Sequence, residues 1–102
     1  MPRTIENTGD IETNAVPDPA RVGDTVALTF RSDTDPTPPF QLRVRAPSGK
    51  LIVESVLREL PTSVAQSGKP VTFVVSTAGD YKIEIKQLTG KQRGEAIFHV
   101  LT

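Results

Sequence analysis

Tyr81-Lys82-Ile83-Glu84-Ile85-Lys86 decides the fold class. Apolar and charged side chains alternate here without a slip. Successive side chains of a strand point to opposite faces, so the stretch predicts a strand with Tyr81, Ile83 and Ile85 toward a core and Lys82, Glu84 and Lys86 toward water. A helix would scatter the same residues around its circumference and leave no apolar stripe.

The same period extends outward in both directions. Toward the C-terminus, a loop centred on Gly90 leads to a last strand with Ala96, Phe98 and Val100 on one face. Toward the N-terminus, Val71, Phe73 and Val75 share a face and Thr72 opposes them. Phe40, Leu42 and Val44 alternate with Gln41, Arg43 and Arg45, and Val26, Leu28 and Phe30 alternate with Thr25, Ala27, Thr29 and Arg31. Between these runs lie turn signals: Pro47-Ser48-Gly49-Lys50, the Ser, Thr and Gly-rich segment Pro61–Pro70, and Ser32–Pro39, where three prolines and two aspartates defeat both helix and ladder. Residues 51–60 read two ways: Leu51, Val53 and Leu57 suit a strand, whereas Ile52, Val56 and Leu60 suit a helical stripe. The period-two neighbours favour strand followed by irregular chain, since an isolated ten-residue helix would be marginal. Asn14-Ala15-Val16-Pro17-Asp18-Pro19 reads as a short edge strand, the place where a sheet tolerates proline. Residues 1–15 carry few large apolar side chains and read as a flexible N-terminal arm preceding a domain over 16–102.

Length and composition agree with one all-β domain. The chain has 102 residues, 36% of them hydrophobic, with no Trp, one Tyr and four Phe, so a largely aliphatic core is expected. Nine Pro and seven Gly predict frequent turns, and the absence of Cys removes disulfides, thiol nucleophiles and thiolate metal sites together. Twelve basic residues balance twelve acidic ones, which argues against the basic footprint of a nucleic-acid binder. The balance hides an asymmetry: residues 1–40 sum to −4 and residues 41–102 to +4. No apolar run of signal-peptide length follows Met1, and the longest apolar stretches, such as Leu51-Ile52-Val53, are three residues, so no membrane insertion is expected. The expectation is cytoplasmic synthesis, compatible with a place in a virion or with excision from a larger surface protein.

Thr77-Ala78-Gly79-Asp80-Tyr81-Lys82-Ile83 resembles the E–F corner of immunoglobulin-like domains, in which a tyrosine hydroxyl returns to the backbone. Tyr81 stands for that corner tyrosine, and Ile83 stands where antibody-type domains have their second Cys. The first Cys and the core Trp are also missing, so the likeness is to the disulfide-free sandwiches of bacterial, phage and cytoskeletal proteins. Val22–Thr29 looks like the A–B entry of bacterial immunoglobulin-like repeats, and Ala46–Lys50 with Gly79-Asp80-Tyr81 and Phe98-His99-Val100 is similar to filamin-type repeats. The resemblance covers residues 16–102. It implies an immunoglobulin-like antiparallel β-sandwich of about seven strands, and it transfers no functional residue.

Catalytic chemistry is hard to assemble from these residues. The single His99 lies on the last strand, where an exposed structural histidine is the plain reading, and neither a phosphate loop nor a Gly-x-Ser-x-Gly elbow occurs. No enzyme activity, cofactor or metal is expected. Asp33 and Asp35, with Asp80 or the Thr34 carbonyl, could offer oxygens to calcium, although aspartates beside prolines also cap their own turns. If the strands at 40–46 and 81–86 are neighbours, they expose Arg43, Arg45, Lys82 and Lys86, and the next loop adds Lys91 and Arg93. That is a candidate interaction surface for an anionic partner. The competing reading is a solvated face neutralised by cross-strand pairs.

The sequence therefore leads to a non-catalytic structural or interaction module, an accessory domain of a virion or bacterial surface assembly. Its expected partner is a protein, a capsid, tail or surface component. The alternative is a module binding carbohydrate or calcium through the 33–39 and 89–93 loops.

Overall fold

The alternation at residues 81–86 becomes the middle of one of the two longest strands of a computed structural model, which describes residues 4–34, 36–61 and 71–102. Nine strands form among the described residues: β1 (Glu6–Gly9), β2 (Glu12–Val16), β3 (Ala20–Arg21), β4 (Thr25–Arg31), β5 (Phe40–Arg45), β6 (Leu51–Leu57), β7 (Val71–Val74), β8 (Gly79–Gln87) and β9 (Arg93–Leu101). They make an all-β sandwich. The large sheet runs β1-β9-β8-β5-β6, with β3 also laid on β9, and the small sheet runs β2-β4-β7. Every pairing is antiparallel except β3 with β9.

The inward phase predicted for each run is the observed one. Val26, Leu28, Phe30, Phe40, Leu42, Val44, Tyr81, Ile83, Ile85, Ala96, Phe98 and Val100 are buried between the sheets. Fully burying a residue such as Leu or Phe is worth about 1.5–3 kcal/mol, which is what holds two sheets together without a disulfide. The core is not purely aliphatic: the tyrosine and all four phenylalanines lie in it. Phe73 of the small sheet meets Tyr81 of the large one with ring centroids 6.0 Å apart. Residues 51–60 resolve into strand β6 followed by irregular chain, and the Pro61 carbonyl accepts a hydrogen bond from the Phe30 N–H at 2.6 Å.

The expected arm over residues 1–15 is corrected over residues 4–15. β1 pairs with β9 from Glu6↔Ile97 to Gly9↔Gly94, and β2 pairs with β4 from Glu12↔Arg31 to Val16↔Ala27. Ile11, between them, is fully buried. The expected edge strand at Asn14–Pro19 is found as β2, shifted to Glu12–Val16, and the strand count rises from about seven to nine because β1 and the two-residue β3 are added. No apolar alternation announces β1, which is exposed along its length, or the start of β2, whose inward residues are Thr13 and Ala15. Their stabilisation is in backbone ladders and a few polar side chains. Asn7 receives the Thr13 N–H at 2.8 Å and donates to the Thr13 carbonyl at 2.9 Å, bridging β1 to β2. Asp18 accepts from the Thr4 N–H at 2.8 Å and the Thr4 hydroxyl at 2.7 Å.

The chain crosses from the large sheet to the small one at Gly9-Asp10-Ile11, and the crossing is tight. The Arg93 carbonyl accepts from the Asp10 N–H at 2.7 Å and from the Ile11 N–H at 3.3 Å. Gly9 turns with φ of 100°, and a Cβ there would lie 2.6 Å from the Arg93 carbonyl oxygen. Glycine alone fits both demands.

Candidate functional site

The outer face of the large sheet carries five of the six candidate cations, Arg43, Arg45, Lys82, Lys86 and Arg93. β5 and β8 are neighbours as expected, with Arg43 opposite Glu84 and Arg45 opposite Lys82. Three of the six candidate cations are neutralised there. Arg43 meets Glu54 of β6 at 3.0 Å, Arg45 meets Glu84 at 3.8 Å, and Lys82 meets Glu95 of β9 at 3.2 Å. These pairs are half-exposed, and each is worth about 0–1 kcal/mol. Their effect is mainly electrostatic smoothing, so the middle of the face presents no net positive field.

The other three cations lie toward one end. Lys86 of β8 stands directly opposite Arg93 of β9, and Lys91 is exposed in the loop that joins them. Among the described residues none of the three has a carboxylate within ion-pair distance. Lys86, Arg93 and Thr8 border an open hollow of about 430 Å³, whose other wall is Glu84 and Glu95. These two acids also face each other across the strands, but each is offset by its own cation, Arg45 or Lys82. Like charges directly opposite are unfavourable, and the Lys86–Arg93 pair has no such offset.

The same end gathers the two loops named as an alternative site. Gln87, buried at the end of β8, donates through Nε2 to the Thr37 carbonyl at 2.9 Å and to its hydroxyl at 3.1 Å. Its Oε1 accepts the Gln92 N–H at 3.3 Å. Gln92 in turn donates to the Thr34 hydroxyl and accepts from the Ser32 hydroxyl. The 32–39 and 88–92 segments are thus laced into one polar surface. Asp33 borders a second hollow of about 270 Å³ with Asp10, Glu12, Arg31 and Ser32.

One expectation about oxygen ligands is changed by geometry. Asp80 cannot join Asp33, because it opens β8 while the 33–39 loop sits at the other end of that strand, seven residues away at Gln87, or roughly 23 Å. Asp35 lies outside the described residues. Among those described, no group of three or more His, Cys, Asp or Glu side chains is placed to hold a metal. His99 is exposed on the outer face of β9, where its Nδ1 lies 2.7 Å from the Asp80 Oδ1, and the two residues are direct cross-strand partners.

Sequence reading missed the residues that organise this surface: Glu54 and Glu95 as counter-charges, and Gln87 and Gln92 as loop ties. The alternation of charge in Lys82-Glu84-Lys86 signals a solvated strand face, but a partner on another strand has no local mark. No helix is long and apolar enough to cross a membrane among the described residues. No family model, curated protein or solved structure matches the chain.

Proposed function

We propose that the chain is an immunoglobulin-like, non-catalytic interaction module that docks through the basic end of its large sheet onto an acidic protein surface. A capsid, tail or surface component of a virion or bacterial assembly fits that role. The observation that carries the reading is the Lys86–Arg93 juxtaposition, a like-charge pair without a counter-ion among the described residues on a face whose other cations are matched. A partner carboxylate between them would relieve the repulsion and gain charge-assisted hydrogen bonds. The immunoglobulin-like assignment is supported by the Tyr81 hydroxyl, which returns to the Thr77 carbonyl at 2.9 Å, and by the strand order, in which a short strand runs parallel to the last one.

Binding to an immobilised glutamate-rich peptide, followed across a salt series, tests this. Wild-type binding is expected to fall steeply with salt, and the Lys86→Glu/Arg93→Glu variant is expected to lose it. Equal binding by the two proteins would overturn the reading.

A second reading, a module for carbohydrate or calcium, is favoured by the lacing of the 33–39 and 89–93 loops through Thr37, Gln87 and Gln92. Calorimetric titration with calcium and a glycan array decide between the two. Tight binding of either ligand would put the second reading first.

A further inference from the structure

We infer that the free edge of β6 is an interface for a second copy of this chain, paired antiparallel across a two-fold axis at Ser55. The inference does not rest on the basic end, which lies on other strands.

Among the described residues five strands border the sandwich, and four are blunted; β3 has only two residues. β2 runs into Pro17 and Pro19, β7 has four residues, and β1 is the polar tetrapeptide Glu6-Asn7-Thr8-Gly9. Short, polar or proline-ended edges resist further pairing. β6 has seven residues, five of them apolar, and among the described residues no strand pairs with its outer side. It is also the outermost strand of a five-strand path facing a three-strand sheet, and none of its side chains is fully buried. Its inward residues Val53 and Leu57 are half-buried. Its outward Val56 is 58% exposed and forms, with Pro38, Pro39 and Arg58, an apolar-walled hollow of about 350 Å³.

The register follows from the strand itself. A bulge between Val44 and Arg45 interrupts the pairing with β5, which leaves Val53–Leu57 as the regular part of β6. Five residues centred on Ser55 are self-complementary: Val53 faces Leu57 of the second copy, Glu54 faces its Val56, and Ser55 faces its Ser55. Inward residues meet inward residues, as the pleat requires. No like charges become direct partners, and Glu54 keeps its own Arg43 at 3.0 Å. An axis at Glu54 would instead set two carboxylates against each other and would recruit the bulged Ile52. Pairing at Ser55 joins two five-strand paths into one continuous sheet, and it covers Val53 and Leu57 on one face and Val56 on the other.

The intact chain tests the proposal. Sedimentation equilibrium is expected to show a concentration-dependent rise from 11.0 kDa toward twice that mass. Val56→Glu sets a carboxylate against Glu54 of the second copy twice per dimer, whereas Val56→Lys sets an ammonium there. The Lys variant is expected to associate about tenfold more tightly than the Glu variant. Because the chain has no cysteine, Ser55→Cys carries the only thiol. Directly opposite residues lie about 4.5–5.5 Å apart at Cα, within disulfide reach, so mild oxidation is expected to link Ser55→Cys into a dimer faster than a Thr25→Cys control on the other sheet. This arm holds even if a Val56 variant fails to fold. A single mass of 11.0 kDa at every concentration, equal behaviour of the two Val56 variants, or cross-linking no faster than the control would each overturn the proposal.

Discussion

The Tyr81 hydroxyl donates to the carbonyl of Thr77 at 2.9 Å and accepts that residue's N–H at 3.3 Å, so one side chain closes the turn that feeds β8. The ring is 1% exposed and packs against Phe73 of the facing sheet. A single residue therefore ties the corner to both layers.

Tyr81→Phe keeps the ring and removes both hydrogen bonds. It is expected to cost about 1–2 kcal/mol, a fall in midpoint of roughly 4–16 °C for a domain of this size. Urea unfolding checks it, and a change below a few tenths of a kcal/mol would show that water replaces the hydroxyl at Thr77 without loss.

Gly94 lies where β1 leaves β9 and the chain crosses between sheets, and a Cβ at this position would overlap the Ile11 carbonyl oxygen. Ile11 is fully buried, and its backbone is held by the Arg93 carbonyl, so it has little room to retreat. Gly94→Ala is expected to destabilise by about 3 kcal/mol, with early hydrogen exchange at Asp10 and Ile11. Wild-type protection at these two amides would contradict the close approach.

The Thr13 hydroxyl is buried without a hydrogen-bond partner among the described residues, while the Thr13 N–H and C=O are both satisfied by Asn7. Thr13→Val exchanges a desolvated hydroxyl for a methyl of nearly the same size and leaves the backbone bonds intact. An increase in stability of about 1 kcal/mol is expected. Thermal unfolding of the two proteins side by side decides it, and a decrease would mean the hydroxyl has a bonded water.

Lys86→Glu turns the unfavourable pair with Arg93 into an opposite-charge pair across the strands. Stability is expected to rise by about 0.2–1 kcal/mol in low salt and to return to the wild-type value near 1 M salt, where screening reaches about 3 Å. The same substitution is expected to weaken docking to acidic surfaces. Stability that rises equally at both salt concentrations would point to a non-electrostatic cause.

The strands of the sandwich were legible wherever one face met the core. In Phe40–Arg45 and Tyr81–Lys86 the inward residues are large and apolar, so the period of the pleat is printed in the side chains. β1 was not legible, and β2 was legible only as an edge strand over Asn14–Pro19, because a strand exposed on its outer face, or filled inward by Thr13 and Ala15, is held by backbone groups that every residue possesses. Of the six candidate cations, the sequence placed Arg43, Arg45, Lys82 and Lys86 correctly on the outward side of neighbouring strands. It did not distinguish the paired from the unpaired, because Glu54 and Glu95 reach Arg43 and Lys82 only through pairings made by the fold.

Alternation of residue types along the chain determined the all-β class, the inward face of each core strand and the positions of most turns, since these depend on neighbours one or two residues apart. Tertiary structure decided the sorting of strands into two sheets, the entry of residues 6–16 into both of them, and the isolation of Lys86 beside Arg93. Those outcomes depend on which backbone groups and charges the closed core brings within a few ångströms, a distance that separation along the chain does not encode.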